Sequence, residues 1–217
     1  MKILLINPPF LKMYSRQSRS PCVTKSGTLY YPYYLAYATG AAEKAGFTAK
    51  LIDAVASEMS FDEAVKAAKK FGPNLIVADT STPSIYNDVR FAEQLKKEIP
   101  NAHITLTGTF PTNMAEHTLR LSKSIDSVCK GEYDCTVVEL ARALEKGKGM
   151  RGVKGISYQE NGKVVHNEAQ PPITNLDELP FVSDVYKRHL GEKIMRKYFY
   201  ASITWPYVQI LTARGCP

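Results

Sequence analysis

Asn74-Leu75-Ile76-Val77-Ala78-Asp79-Thr80-Ser81-Thr82 is the stretch that decides the fold. Leu75 to Ala78 is apolar without alternation, the pattern of a strand covered on both faces. Asp79-Thr80-Ser81-Thr82-Pro83 ends it with small polar groups and a helix breaker, and Ser84 opens a helix. In an open α/β sheet, ligands sit just beyond the carboxyl ends of the strands. With this strand at the centre, Thr80, Ser81 and Thr82 are candidates for that crevice.

Working outward, strands are expected at Lys2 to Ile6, Thr48 to Asp53, His103 to Thr107 and Ser127 to Lys130. Helices are expected over Pro32 to Ala45, Phe61 to Phe71, Ile85 to Glu98, Thr112 to Leu121 and Cys135 to Lys146. Ser60 and Glu63 stand at capping-box spacing for the second helix, which Gly72-Pro73 stops. Strand and helix thus alternate five times over residues 1–147. That predicts a flavodoxin-like (Rossmann-like), doubly wound, five-stranded parallel sheet of order 2-1-3-4-5. Residues 11–31, polar and basic, make a long first βα loop; such loops are usually functional or disordered.

The pattern changes after Gly147. Gly155 to Tyr158 and Lys163 to His166 flank Asn161-Gly162, a strong hairpin signal. Pro171-Pro172 and Leu179-Pro180-Phe181 then read as linker, so 148–207 is taken as hairpin plus linker. Val208 to Leu211 is expected as one more strand, followed by Thr212-Ala213-Arg214-Gly215-Cys216-Pro217. A strand leading into a Cys-bearing loop at the chain's end reads as a piece of a longer protein.

The 217 residues carry a net charge of +7 and 44% hydrophobic side chains, a globular composition. No apolar run is long enough to span a membrane, and Met1 to Ile6 is too short for a signal peptide. A cytoplasmic protein is expected. The basic residues are scattered, as on solvated helix faces, so nucleic acid is not the expected partner. Among Cys22, Cys129, Cys135 and Cys216 there is no C-x-x-C pair or metal-ligand spacing.

Four loops should converge on the carboxyl edge: Asn7-Pro8-Pro9, Thr80-Ser81-Thr82, Gly108-Thr109-Phe110 and Gly131-Glu132-Tyr133. They are rich in glycine, hydroxyls and backbone donors. The edge lacks both G-x-G-x-x-G after strand one and a Walker A sequence, which argues against dinucleotides and nucleoside triphosphates. Asp79, Thr107 and Lys130 match the acceptor, hydroxyl and lysine of a phosphorylated receiver domain. A receiver also needs acidic residues after strand one to hold Mg²⁺, where this chain has Asn7-Pro8-Pro9.

Several pieces occur in order: Lys2-Ile3-Leu4-Leu5-Ile6-Asn7-Pro8-Pro9, Tyr33-Tyr34-Leu35-Ala36-Tyr37, and Gly108-Thr109-Phe110-Pro111-Thr112. Asp126-Ser127-Val128-Cys129-Lys130-Gly131-Glu132, Leu176-Asp177-Glu178-Leu179-Pro180 and Thr212-Ala213-Arg214-Gly215-Cys216-Pro217 complete the set. Together they resemble the cobalamin-binding domain at the front of class B radical S-adenosylmethionine enzymes, the group of the anaerobic magnesium-protoporphyrin ester cyclases. The resemblance implies that cobalamin lies over the four loops, bordered by Thr80, Ser81, Thr82 and Phe110. Many cobalamin domains carry D-x-H-x-x-G after strand one, whose His ligates cobalt; this sequence has no His there, and the resemblance then implies a base-off cobalamin without a protein imidazole. The resemblance also implies that Cys216 is the first of three cysteines holding a 4Fe–4S cluster in a longer protein. That protein would use S-adenosylmethionine for methyl transfer or oxidative cyclisation on a partial TIM barrel, with residues 208–217 as its first strand and loop. This chain alone holds one of the three thiolates and is not expected to be catalytic. The alternative is a docking module of the same fold that binds a substrate or partner and no cobalamin.

Overall fold

The computed structural model describes residues 1–18 and 20–214. A sheet of seven strands forms its centre: β1 (Lys2–Asn7), β2 (Thr48–Asp53), β3 (Leu75–Thr80), β4 (His103–Gly108), β5 (Ser127–Cys129), β6 (Ile156–Glu160) and β7 (Lys163–His166). The order is β2-β1-β3-β4-β5-β6-β7. The first five strands are parallel; β6 runs antiparallel to β5, and β7 antiparallel to β6. The expected order 2-1-3-4-5 is present, but the sheet has seven strands, not five. The Asn161-Gly162 hairpin does not stand apart. Ser127, Val128 and Cys129 pair with Tyr158, Ser157 and Ile156, which covers the β5 edge.

Every residue of β3 is buried, as an unbroken apolar run in a two-sided sheet requires. Alternate side chains of one strand feed opposite layers. Ile3, Leu5, Leu75 and Val77 join the layer containing α1 (Tyr33–Lys44) and α6 (Asp134–Glu145). Leu4, Ile6, Ile76 and Ala78 join the layer under α2 (Phe61–Phe71) and α3 (Ile85–Glu98). Burying each such Leu or Ile contributes about 1.5–3 kcal/mol. The α2 start carries the expected capping box, and Gly72 ends the helix at φ 67°.

Three stretches differ from the sequence expectation. Gly108-Thr109-Phe110-Pro111, expected as a loop, turns directly into a short helix α4 (Thr109–Asn113), followed by α5 (Ala115–Leu121). The linker-like residues include α7 (Val182–His189) and α8 (Gly191–Met195). Val182, Val185 and Tyr186 at i, i+3, i+4 give α7 a buried face, and α7 packs on α1. Gly40 of α1 permits this approach: a Cβ there would meet Pro180 and Val185 side chains at 3.0–3.1 Å. Finally, Val208 to Leu211 forms no strand. A strand needs neighbours for its backbone groups. Here tyrosines bind that backbone instead: Tyr186 Oη donates to Gln209 O at 3.3 Å, and Leu211 N donates to Tyr37 Oη at 3.2 Å.

Candidate functional site at the carboxyl edge

The long loop after β1 folds back over the sheet edge and buries Tyr14, Ser15, Arg16 and Gln17. The Arg16 side chain is fully enclosed, and so is Asp88, its partner. Nη2 donates to Asp88 Oδ1 at 2.5 Å, and Nη1 donates to Asn7 Oδ1 and Pro8 O at 2.8 Å each. Thr80 and Ser84 hydroxyls donate to Asp88 Oδ2 at 2.7 and 2.6 Å. Asn87 Nδ2 donates to Pro9 O at 2.8 Å, and Tyr14 Oη shares a hydrogen bond with Ser81 Oγ at 2.8 Å. Asn7, Pro8, Pro9, Thr80 and Ser81 therefore seat Arg16 and its loop. Of these five, Thr80 alone also lines the cavity described next, while Thr82 is exposed outside it.

Beside this seat lies a cavity of about 560 Å³, walled by the Arg16–Ser18 turn, Tyr33 and Tyr34, the ends of β3 and β4, α4, Gly131 to Tyr133, and Ala213-Arg214. Of the residues expected from sequence, Thr80, Gly108, Thr109, Gly131, Glu132 and Tyr133 line it. Phe110 does not. Its ring packs beside His117 at 5.9 Å between centroids, against the α2/α3 layer. Cys216 lies outside the described residues.

Gly108 shapes the floor. Its φ is 114°, and a Cβ there would stand 2.0 Å from Thr80 O and 2.8 Å from Asp79 Oδ1. Only glycine lets the β3 and β4 ends come this close. Thr112 Oγ1 donates to Gly108 O at 2.7 Å and accepts from Gly131 N at 3.1 Å, tying two of the loops together.

Sequence reasoning missed Arg16, Gln17, Asp88 and the site role of Asp79. The Gln17 side chain donates to Asp79 Oδ2 and accepts from Tyr34 N at 3.2 Å, while Tyr33 Oη donates to the backbone carbonyl of Gln17. Burial pushes the Asp79 carboxyl up to about 7 against the opposing pull of Arg16. Glu132 Oε2, Tyr133 Oη and, at the end of β4, Thr107 Oγ1 are buried without a hydrogen-bond partner among the described residues. Arg214 closes the far wall, bonded to Asp134 and stacked over Tyr37 at 4.7 Å. None of the four histidines lines the cavity. Among the described residues, no three His, Cys, Asp or Glu side chains gather as a metal site.

A model of the B12-binding domain matches residues 19–141, the span of the parallel sheet from its first loop to α6. The chain belongs to the B12-binding domain family. An uncharacterized methyltransferase of Pyrococcus horikoshii is 33% identical over all of this chain and 44% of its own length. An anaerobic magnesium-protoporphyrin IX monomethyl ester cyclase of Rubrivivax gelatinosus is 28% identical over 86% of this chain and 33% of its own length. The chain thus spans less than half of these relatives. The fold is shared with the cobalamin-dependent S-adenosylmethionine radical enzyme OxsB with aqua-cobalamin bound (TM-score 0.72, 19% identity, 90% of this chain and 25% of that one). It is shared too with the radical S-adenosylmethionine methyltransferase TsrM of Kitasatospora setae, with cobalamin and a 4Fe–4S cluster bound (TM-score 0.63, 16% identity, 82% of this chain and 30% of that one). The B12-binding domain of this chain resembles those of cobalamin-dependent radical S-adenosylmethionine enzymes.

Proposed function

We propose that this chain binds cobalamin across the carboxyl edge of its sheet, base-off and without a protein imidazole on cobalt. The observation that carries the reading is the ligand-sized cavity at the carboxyl ends of β3 and β4, lined by Gly108, Glu132 and Tyr133, inside a B12-binding domain. Around it, Leu11, Tyr34, Tyr86 and Met114 stand exposed in or near the loops of the same edge. That apolar rim suits a ligand larger than the cavity, or a covering domain. The absence of histidine from the wall supports the His-off state. Bound cobalamin would supply a cobalt centre that carries a methyl group or an electron; this chain's part is to hold and orient it.

In the same reading, the longer protein is a radical S-adenosylmethionine enzyme, a methyltransferase or cyclase. Residues 208–217 would enter its barrel, and Cys216 would be one ligand of its 4Fe–4S cluster. The lengths and names of the relatives support this. No described helix is long and apolar enough to cross a membrane. The free thiols of Cys22, Cys129 and Cys135 suit a reducing, cytoplasmic setting.

The test is a titration of the folded chain with hydroxocobalamin in the dark, followed by gel filtration and visible absorption. Corrinoid retained with a base-off spectrum is the expected result. No retention at high micromolar cobalamin overturns the reading in favour of a docking module.

A further inference from the structure

Residues 207–214 are held by side chains where a strand would be held by a neighbouring strand. Tyr31 Oη donates to Tyr207 O at 3.0 Å, and Tyr186 Oη donates to Gln209 O at 3.3 Å. Tyr37 Oη donates to Leu211 O at 3.3 Å and accepts from Leu211 N at 3.2 Å. Gln209 answers in kind, its Oε1 accepting from Tyr31 N at 2.7 Å. Residues 207, 209 and 211 are half-buried, whereas Val208 and Ile210 are exposed. This two-residue period is that of extended backbone. A slip of one residue would turn Val208 and Ile210 inward, so the tyrosines set a register. Beyond them, both terminal nitrogens of Arg214 donate to the Asp134 carboxylate, and both side chains are buried. The guanidinium lies over the Tyr37 ring.

This fastening bears on the cavity. Ala213 and Arg214 form one of its walls, and the Arg16–Ser18 turn forms another. The two walls are joined away from the cavity. Tyr31 ends the loop that carries Arg16, and its amide holds Gln209. Leu29 and Phe199 exchange backbone hydrogen bonds of 2.9 and 3.2 Å beside it. The Arg214 side chain, engaged with Asp134, acts as a bolt for its wall. We propose that Tyr31, Tyr37, Tyr186 and Asp134 form a docking track that seats residues 207–214 as a wall of the corrinoid site, so that corrinoid binding and docking of this segment strengthen each other. This rests on the corrinoid reading above and names the positioning residues of that site. A ligand that meets the docked wall gains affinity from it, and by linkage it must tighten the docking by the same factor.

Wild type, the double variant Tyr37→Phe/Tyr186→Phe and Asp134→Asn are compared by hydroxocobalamin titration and by amide exchange. Phenylalanine keeps both rings in the core and removes only the hydroxyls, and none of the three substituted residues lines the cavity. The remote probe is the Tyr31 amide, which Gln209 covers; amides of β3 are the control for global unfolding. Without corrinoid, the Tyr31 amide should exchange about tenfold faster in the double variant, with β3 unchanged. Hydroxocobalamin should bind the double variant about fivefold more weakly or worse, and at saturation it should slow the Tyr31 amide of wild type by a similar factor. Asp134→Asn should act in the same direction on both readouts. Wild-type affinity in a variant whose Tyr31 amide has sped up overturns the coupling. So does corrinoid bound to wild type without slowing at Tyr31, which leaves cobalamin binding intact. An unchanged Tyr31 amide in both folded variants overturns the track itself. If the double variant fails to fold, Asp134→Asn decides by the same readouts. If folded wild type retains no corrinoid, the corrinoid reading fails and the coupling fails with it.

Discussion

The two ends of the sheet treat their polar groups in opposite ways. At the amino end, Lys2 N donates to Asn74 Oδ1 at 2.8 Å, and Asp126 Oδ2 accepts from Ile104 N at 2.7 Å and Lys96 Nζ at 2.8 Å. His103 Nε2 shares a hydrogen bond with Ser127 Oγ at 2.8 Å, and burial pushes its imidazole down to about 4. These groups are matched within the chain, whereas Tyr158, opposite Ser127, keeps a buried hydroxyl without a partner among the described residues. At the carboxyl end, Glu132, Tyr133 and Thr107 hold buried atoms without partners among the described residues, and burial raises the Asp79 carboxyl to about 7. One end is closed for stability. The other borders the cavity and is organised by the long loop after β1.

The sharpest way to break this contrast is to remove what organises the open end. Arg16→Met leaves Asp88 as an uncompensated buried carboxylate, which costs on the order of 3–5 kcal/mol. Denaturant unfolding should show that loss, and residues 10–31 should become sensitive to limited proteolysis. A loss under 1 kcal/mol would mean that the loop is not held by this pair.

A smaller effect concerns pH. The Asp79 carboxyl stands at about 7 in the fold against 3.8 in the open chain. Between about pH 4 and 7, the folded state keeps a proton that the unfolded state has released. Stability from this group therefore falls as pH rises through that window. Tm measured from pH 4.5 to 7.5 should decline more steeply in wild type than in Asp79→Asn. Equal slopes would show that Asp79 does not titrate there.

The smallest effect belongs to the closed end. Asp126→Ala removes the partner of Lys96 and Ile104 N and should cost about 1–2 kcal/mol without changing corrinoid affinity. A variant that loses affinity while remaining folded would erase the distinction between the two ends.

How much of this was legible depends on periodicity. The five parallel strands and their helices announce themselves through unbroken apolar runs and 3.6-residue stripes, and their order follows from that alternation. Thr80, Gly108, Thr109, Gly131, Glu132 and Tyr133 follow from the rule that ligands meet the carboxyl edge, and the structure gathers them around one cavity. The loop at 10–31 has no period, so its buried Arg16 and Gln17 were hidden. One signal did exist: Asp88 lies on the apolar stripe of α3, three residues after Ile85 and one before Val89. A carboxylate on a buried stripe calls for a cation, and the basic loop supplies it. The α7 helix was obscured because prolines surround a run of only eight residues. Val208 to Leu211 misled because an apolar run reads as a strand whether or not this chain offers it a neighbour.

The most direct test of the contrast between the ends is hydrogen exchange with and without saturating hydroxocobalamin. Slower exchange is expected at backbone amides of residues 108–113 and 131–134 when cobalamin is present, with no change at residues 123–127. Protection confined to the amino end, or spread evenly over the sheet, would contradict it.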